Sequence, residues 1–418
     1  MTEIKCDVVI VGGAVAGMML ANNLRDSGLD VVVLETQREI PELKRGDLLS
    51  PSTVAELARL NLLDNFKARG SIELHEWLAI GPEGETLIQL PLEVTAPEPF
   101  NYCIALPHPL LQAALAEGAQ ADNIRFLRGV RMTGLLRDSE GAAAGVIASG
   151  RAGPVEVRAR LVVGCDGTSS LVRQEAGIET DIETYPYSYL MLTAERSPDQ
   201  PADRQTEIWG PEGFCGMFPI TPDLVRCPVQ AAAGELKRWR EIGIPQVHEE
   251  LKRRFPYWDK MKPIDDGLYT YKILKHHASG YVADGVLLIG DAAHTTPPYY
   301  GMGMNMAMRD AHHAARHLVP LLEAGEKPTA QALKPIEDRV RPFNEFVITA
   351  SWLYGRVASA HHKSSAVVQE ELRRSPALDP AAMSIIYGPY DSPPPTGEQI
   401  AALKNGTWTE LTAQAEAA

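Results

Sequence analysis

The sequence predicts an α/β protein in which a parallel-sheet lobe carries an inserted, mostly antiparallel β-sheet lobe and C-terminal helices. Three observations predict this architecture. A buried strand at residues 6–11 leads into a glycine turn and a helix, two later apolar strands end near Asp166 and Asp291, and residues 180–275 contain alternating polar and apolar stretches. A strand, a turn and a helix in this order are typical of a parallel sheet, whereas alternation is typical of antiparallel strands with one buried face.

The composition indicates a globular chain with a small-molecule partner. The 418 residues are 45% hydrophobic and 22% charged, which are ordinary globular values. This length allows two or more lobes around a buried ligand. The net charge is −14. Because an acidic surface repels phosphate backbones and anionic lipids, we expect no nucleic-acid partner.

The apolar runs and the cysteines exclude several other classes. No apolar run reaches about 18 residues, so we expect no membrane span. The first strand enters the glycine turn without a signal-peptide pattern, so we expect a cytoplasmic location. The five cysteines are scattered without the short spacings of metal ligands. Free thiols are therefore expected, with neither a disulfide framework nor a metal site.

The first strand, its glycine turn and the following helix form a dinucleotide-binding pattern, which predicts a Rossmann-like lobe. The helix runs to about Asp26, and a second strand, Asp30–Leu34, ends at Glu35. An acidic side chain at this spacing accepts hydrogen bonds from a ribose. Ala14 replaces the middle glycine of the pattern. The alternative is that the glycines serve only tight packing of helix on strand. The predicted nucleotide-binding residues are Gly12, Ala14, Val15, Ala16, Gly17, Glu35 and Thr36.

A polar loop at 38–50 follows, and it is longer than a usual connection in this fold. Arg45 is its candidate ligand contact, because a guanidinium near a diphosphate makes paired charge-assisted hydrogen bonds. An exposed surface arginine is the alternative. The pattern of residues 51–66 predicts an amphipathic helix, and residues 71–105 alternate in the manner of strands.

The next segments return to the first lobe. A helix is predicted at about 109–119, and strands are predicted at 124–130, 144–148 and 154–164. The last strand leads to Asp166, and a helix with Thr and Ser at its start follows. Capping hydroxyls and a turn glycine explain this stretch as structure alone. The other explanation is that Asp166 binds a ligand, because α/β sheets bind ligands at the carboxyl ends of their strands.

The rest of the chain divides into a sheet and helices. The antiparallel segment carries a helical insertion at about 234–255. Helices are predicted at 306–323 and 329–374, and residues 375–418 form a proline-interrupted tail.

The stretch 286–311 carries the third turn. A buried strand delivers Asp291, a Pro- and Gly-rich turn follows, and a helix begins near Gly303. The N–H groups of such a turn and helix start converge on one point, where they stabilise an anionic group. Alternating methionines from Met302 to Met308 flank this point, which indicates a ligand with a large apolar surface. An ordinary strand–turn–helix unit is the alternative.

In their order and spacing, the three motifs resemble those of the single-component FAD-dependent aromatic hydroxylases, the para-hydroxybenzoate hydroxylase family. The resemblance covers roughly residues 5–345. Its most specific part is the third motif, Gly290-Asp291-Ala292-Ala293-His294 with Pro297-Pro298 and Gly301-x-Gly303-x-Asn305.

The resemblance implies FAD as the cofactor and NADH or NADPH as a transient reductant. Asp291 would bond a ribityl hydroxyl, and Pro297 and Pro298 would lie along the isoalloxazine. Further FAD contacts implied in this way are Val130, Asp166, Gly301, Gly303, Met304 and Asn305, beside Arg45 from the polar loop. The chain departs from the family pattern at Ala14 and at His108, which we align where the family commonly has arginine in contact with FAD.

The resemblance also implies the reaction. Dioxygen would add to the reduced flavin as a C4a-hydroperoxide, and its terminal hydroxyl would pass to an electron-rich aromatic substrate. A base would speed the reaction of a phenol. The candidate catalytic residues are Arg45, His276 and Tyr271, with His277 and Tyr189 as further candidates. Packing or surface roles are the alternative for these side chains.

The expected floor of the substrate site, residues 214–220, carries no cation, whereas relatives that hold carboxylated rings place arginine there. We therefore expect a substrate more apolar than a benzoate, such as a polycyclic phenol. The predicted substrate contacts are Met217, Phe218, Arg226 and Pro297, of which Arg226 is the nearest charge. Two alternatives are a reductase or dehydrogenase of the same fold and a non-catalytic flavin-holding protein. We expect a monomer or a homodimer.

The expected division of the chain has six segments. The FAD-binding lobe takes residues 1–72, 106–178 and 281–345. The substrate lobe takes residues 73–105 and 179–280, and the C-terminal helix and tail take residues 346–418.

Overall fold

A computed structural model describes residues 2–44, 47–81, 84–210, 213–265, 267–358 and 379–417. Its described residues form two large β-sheets, one small sheet and the helices that cover them. The predicted α/β class, with a parallel lobe and an inserted antiparallel lobe, is confirmed.

The first sheet has eight strands, here numbered along the chain. They are β1 Thr2–Val11, β2 Val31–Glu35, β8 Ile124–Arg128, β9 Arg131–Arg137, β10 Ala143–Gly150, β11 Gly153–Gly164, β18 Val282–Ala283 and β19 Val286–Leu288. Strands β19, β11, β1, β2 and β8 lie side by side in parallel. This arrangement follows from sequence, because Val8, Val9 and Ile10 are fully buried and only a sheet covered on both faces buries consecutive residues.

Six helices of the described residues belong to this lobe. They are α1 Val15–Leu24, α2 Pro51–Arg59, α3 Leu63–Ala68, α4 His108–Gly118, α5 Leu171–Glu175 and α8 Gly303–Glu323. The predicted helix at 51–66 is therefore two helices. The break lies at Asn61, whose φ of +57° is left-handed and incompatible with a continuing α-helix. The strand at 131–137 was not predicted.

The second sheet has nine strands. They are β5 Glu76–Ile80, β6 Thr86–Pro91, β12 Thr180–Glu195, β13 Arg204–Gly210, β14 Gly213–Pro219, β15 Leu224–Ala231, β16 Lys262–Pro263, β17 Tyr269–Ala278 and β20 His294–Thr295. Alternate residues point to opposite faces. One face packs under helices α6 Glu235–Ile242 and α7 Ile244–Arg254 through Cys215, Met217 and Trp239, while the other carries Tyr189 and Phe214.

A third, small sheet joins β3 Leu48–Leu49, β4 Ile72–Leu74 and β7 Cys103–Ala105. Of the strands predicted over 71–105, only β5 and β6 thus belong to the nine-stranded sheet. Strand β6 ends at Pro91, and a 3₁₀ turn at Leu92–Val94 follows. Since proline has no N–H to offer a ladder, the chain leaves the large sheet there.

The C-terminal part is helical. Helix α9 spans Ala330–Ala358, and the remainder of the helix predicted at 329–374 lies outside the described residues. The proline-interrupted tail, for which the sequence predicted no particular structure, contains α10 Pro380–Tyr387, α11 Gly397–Asn405 and α12 Trp408–Ala417. Its prolines do not interrupt these helices, because Pro380 occupies the first turn of α10, where a missing N–H costs nothing, and α11 and α12 contain no proline. Among the described residues, no helix is long and apolar enough to span a bilayer.

Candidate active site

A cavity of about 650 Å³ is lined by residues of both large sheets. Most of the residues predicted to bind the cofactor lie on its wall. These are Gly12, Ala14, Val15, Ala16, Glu35, Thr36, His108, Val130, Asp166, Asp291, Pro298, Gly301, Gly303 and Met304. Gly17 and Asn305 are not on this wall, and Arg45 lies outside the described residues.

The turn between β1 and α1 requires glycine at two positions. Gly12 has a φ of +110°, and a Cβ on it would lie 2.2 Å from the carbonyl oxygen of Cys165. A Cβ on Gly17 would lie 2.0 Å from the carbonyl oxygen of Gly12. Gly17 is therefore explained by the tight packing of α1 against the turn, without a contact to a nucleotide. Ala14 is the N-cap of α1, so the unpaired N–H groups of this helix start beside it at the cavity wall.

Glu35 ties the end of β2 to the glycine turn. Its Oε2 accepts a hydrogen bond from the N–H of Gly13 at 2.8 Å, and its Oε1 accepts one from the N–H of Gln37 at 2.6 Å. A carboxylate has about four acceptor sites, so these bonds leave capacity for a ligand hydroxyl. The side chain both shapes the turn and faces the cavity.

A buried carboxylate, that of Asp310, stabilises the turn that carries Asp291 through hydrogen bonds. Asp310 accepts hydrogen bonds from the N–H of Gly290 at 3.0 Å and from His294 Nε2 at 2.6 Å, both at Oδ2. Its Oδ1 accepts one from Asn344 Nδ2 at 3.0 Å. Asp310 and His294 are fully buried. Asp310 was not among the predicted site residues, although its position on the buried face of the predicted helix was a signal.

The start of α8 forms the opposite side of the cofactor end. Gly301, with a φ of +64°, turns the chain before Gly303 begins the helix. Asn305 braces this turn, since its Nδ2 donates to the carbonyl of Gly301 at 2.7 Å and its Oδ1 accepts from the N–H of Ser50 at 2.8 Å. Because α8 has more than five turns, its first N–H groups carry a partial positive charge.

Asp166 lies at the cavity edge but serves as a helix cap. It accepts hydrogen bonds from the hydroxyl of Ser170 at 2.5 Å and from the N–H groups of Leu171 at 2.7 Å and Val172 at 3.2 Å. Both explanations offered for this residue thus remain, because it caps α5 and also lines the cavity.

The two candidate histidine bases do not line the cavity. His276 is buried, with Nδ1 2.9 Å from the hydroxyl of Thr180 and Nε2 2.9 Å from the carbonyl oxygen of Asp291. Burial lowers the pKa of His276 to about 4. His277 pairs with the hydroxyl of Tyr281 at 2.6 Å. The structure argues against a base role for either ring, and His276 instead supports the turn at Asp291. Tyr189 and Tyr271 do line the cavity.

The substrate end differs from expectation at two of four residues. Phe218 and Arg226 line the cavity, whereas Met217 and Pro297 do not. The strand period explains Met217, because its neighbours on β14 point to the cavity and it packs under α6 and α7. Arg226 is also not a free cation. Its Nε donates to Asp47 Oδ2 at 2.8 Å, and both side chains are buried.

Two polar side chains of β13, Gln205 and Glu207, line the cavity and were not among the predicted site residues. Glu207 is 3% exposed, and its Oε2 accepts hydrogen bonds from Trp209 Nε1 at 3.0 Å and from the hydroxyl of Tyr354 at 2.8 Å. Burial raises the pKa of Glu207 to about 7, against the lowering effect of these bonds. The spacing of Gln205, Glu207 and Trp209 at every second residue was the available signal.

Comparison with known proteins decides the family. Residues 5–346 match the family described as FAD binding domain. The chain belongs to this family. It is 31% identical over 401 residues to the 6-methylpretetramide 4-monooxygenase of Streptomyces rimosus, covering 91% of this chain and 92% of that protein. It is 31% identical over 342 residues to the ubiquinone hydroxylase UbiL of Rhodospirillum rubrum, covering 78% and 75%.

A solved structure supports the same conclusion. PqsL of Pseudomonas aeruginosa, in complex with 2-aminobenzoylacetate, superposes with a TM-score of 0.73 at 25% identity, over 88% of this chain and 100% of that one. This chain is an FAD-dependent monooxygenase, and the predicted cofactor and enzyme class are confirmed. The relatives do not support the reductase or the non-catalytic alternative.

The cavity of this FAD-binding protein is chemically suited to FAD. The starts of α1 and α8 both open on it, and a helix start favours an anionic diphosphate or flavin edge. Gly301 and Gly303 present no side chain, which leaves room for a flat ring system. The carboxylates of Glu35 and Asp291 are acceptors for the hydroxyls of a ribose and a ribityl chain.

Proposed function

We propose that this monooxygenase uses NADH or NADPH and dioxygen to hydroxylate an apolar or polycyclic phenol. One observation carries the proposal: the substrate end of the cavity is aromatic, and its arginine is neutralised by Asp47. A carboxylated ring would find no free cation on Arg226. Two relatives, by name, act on 6-methylpretetramide and on ubiquinone, which supports an extended substrate.

We propose the following roles for the residues of the cofactor end. FAD, when bound here, would supply hydride acceptance from the nicotinamide and the activation of dioxygen. Asp291 accepts a hydrogen bond from a ribityl hydroxyl. The N–H groups of Gly303 and Met304 stabilise negative charge on the reduced flavin, because they begin a long helix. Tyr271 and Tyr189 line the cavity and limit where the reacting ring can lie.

The aromatic side chains that surround the substrate end have a second role in this proposal. Phe214, Phe218, Tyr299 and Tyr300 line the cavity and bury most of their own surface. Apolar walls of this kind exclude water, which would otherwise destroy the reactive oxygen species before it reaches the substrate.

The division of labour along the chain is part of the proposal. FAD would be held by 1–72, 106–178 and 281–345, and the substrate by 73–105 and 179–280, with 346–418 as a C-terminal brace. Most strands of the first set belong to the eight-stranded sheet and most strands of the second set belong to the nine-stranded sheet, which supports this division. A cytoplasmic location, where NAD(P)H is available, and a monomeric or homodimeric state complete it.

The test is turnover with isotopically labelled dioxygen. Purified holoenzyme should show a flavin absorbance spectrum and consume NAD(P)H and dioxygen in equal amounts. With a panel of phenols and polycyclic phenols, labelled oxygen should enter the product of at least one polycyclic member. Consumption of NAD(P)H with a reduced product and no labelled oxygen would instead identify a reductase and overturn the proposal.

A further inference from the structure

The aromatic wall at the substrate end carries a buried carboxyl group that no arginine or lysine of the described residues pairs with, that of Glu207. Strand β13 alternates, so Gln205, Glu207 and Trp209 share the face that meets the cavity while Ile208 points to the opposite side. Glu207 lies nearly opposite Gly216 on β14 and is 3% exposed. A carboxylate rarely occupies such a position unless it has a partner.

The hydrogen bonds of Glu207 use only one of its oxygens. Trp209 Nε1 and the hydroxyl of Tyr354 both donate to Oε2. Within the described part of the chain, no hydrogen bond reaches Oε1 and no lysine or arginine forms an ion pair with this carboxylate. Oε1 is also absent from the fully enclosed polar atoms that lack a partner. Of the two oxygens, Oε1 is thus the one left to accept a hydrogen bond from a ligand in the cavity that Glu207 lines.

The groups around Glu207 are aromatic rather than charged. Four buried tyrosines interact electrostatically with its carboxylate, and burial raises the pKa of each hydroxyl. They are Tyr189, Tyr300, Tyr354 and Tyr387. They stay neutral donors at physiological pH. The indole of Trp77 also faces the carboxylate and lowers its pKa, although its N–H does not reach hydrogen-bond geometry with a described acceptor. The structure thus keeps Glu207 able to gain and lose a proton near neutral pH.

We propose that Glu207 binds a ring hydroxyl of the substrate through Oε1 and takes its proton. This inference rests on the proposed function. The substrate O–H bond breaks, the proton moves to Oε1, and the electron pair stays on the substrate oxygen, where it raises the electron density of the ring. An electron-rich ring is what an electrophilic oxygen donor attacks. The substrate therefore carries a neutral hydroxyl at this end, since an anionic group would be repelled.

The first test measures how tightly small aromatic probes bind to the oxidised holoenzyme. The change in flavin absorbance reports the binding. The probes are 1-naphthol and 1-hydroxyanthraquinone, each compared with its methyl ether, which fills similar space but has no proton to give. Wild-type protein should bind at least one hydroxylated probe about 10-fold more tightly than its ether, and Glu207→Gln should lose most of this preference. Equal binding of hydroxyl and ether forms by wild type would overturn the proposal.

The second test is the pH dependence of single-turnover hydroxylation. For wild type the rate should rise with pH and level off as Glu207 loses its own proton, and Glu207→Gln should lose this inflection. Tyr354→Phe removes a hydrogen bond that favours the charged form, so it should move the inflection to higher pH. This positioning variant keeps the proposal testable if Glu207→Gln folds poorly. An inflection unchanged in both variants would contradict a proton-accepting role.

A matched control separates this role from the loss of any buried carboxylate. Glu337 is also buried, and it accepts a hydrogen bond from the N–H of Tyr281 at 3.0 Å, but it does not line the cavity. Glu337→Gln should leave the hydroxyl preference and the inflection unchanged. The outcomes also separate the two proposals. If no phenol incorporates labelled oxygen in wild type, the proposed function fails, whereas turnover that is indifferent to Glu207 defeats only this inference.

Discussion

Arg226 on β15 is bound by Asp47, a residue 179 positions earlier in the chain, with Nε 2.8 Å from Oδ2. Arg226 also donates to the hydroxyl of Thr193. The second oxygen of Asp47 accepts the N–H of His108 at 3.0 Å. The pair thus joins the loop after β2 to the substrate sheet and to the start of α4. It neutralises the guanidinium of Arg226, which a benzoate carboxylate could otherwise bind.

The Arg226–Asp47 pair makes a prediction about specificity. Wild-type protein should bind 4-hydroxybenzoate weakly, and Asp47→Asn should strengthen this binding about 10-fold because it frees the guanidinium. Fluorescence or absorbance titration of the holoenzyme measures both constants, and the FAD content of the variant serves as the control for folding. Tight binding of 4-hydroxybenzoate by wild type that vanishes in Arg226→Ala would contradict the interpretation.

Asp291 makes a prediction about cofactor retention. Asp291→Ala should weaken FAD binding by about 10-fold or more, because a charged acceptor for a hydroxyl is lost. The measurement is the fluorescence of FAD released on dilution. Asp223→Ala, at an exposed turn of the substrate sheet, is the matched control and should retain FAD. Equal retention by the two variants would remove Asp291 from the binding site.

Two substitutions in the glycine turn should act in opposite directions. Gly17→Ala places a Cβ against the backbone of Gly12, so it should lower the free energy of unfolding by about 2 kcal/mol and reduce FAD content. Ala14→Gly, in the same turn, restores the commoner N-cap residue and should be neutral or slightly stabilising. Chemical denaturation with FAD fluorescence measures both. A loss of FAD in Ala14→Gly would show that the alanine is required.

Glu207 makes a prediction about stability and pH. Burial raises its pKa from an ordinary 4.5 to about 7. Between pH 4.5 and pH 7, the folded protein therefore keeps a proton on Glu207 that the unfolded chain has lost. The contribution of this group to stability is therefore present below pH 4.5 and is lost as pH rises to 7. Between pH 5 and pH 8, the free energy of unfolding of Glu207→Gln should therefore rise by about 2–3 kcal/mol relative to that of wild type. Urea denaturation at the two pH values tests this, and parallel changes in both proteins would contradict it.

Local signals in the sequence predicted the parts of the fold and the site that depend on neighbouring residues. The turns at Gly12 and Gly301 follow from strand, glycine and helix patterns within a few residues of each other. The pairing of Arg226 with Asp47 could not be predicted in this way, because it depends on how two distant segments meet. Met217 was assigned to the wrong face for a related reason, since a shift of one residue in a strand exchanges its two faces.

The sequence did not predict α10, because a proline usually interrupts a helix. Pro380 lies in the first turn of this helix, where its missing N–H breaks no hydrogen bond. Glu207 was overlooked because a single acidic residue in a strand usually points to solvent. Its burial becomes evident only when the helix that carries Tyr354 covers that face of the sheet.

The alternation along β12 to β15 has a consequence for redesign. Most side chains of these strands that line the cavity occupy every second position of one sheet, whereas the starts of α1 and α8 belong to the other lobe. A mutant library restricted to those alternate positions could therefore change which ring systems are oxidised while the scaffold keeps its flavin.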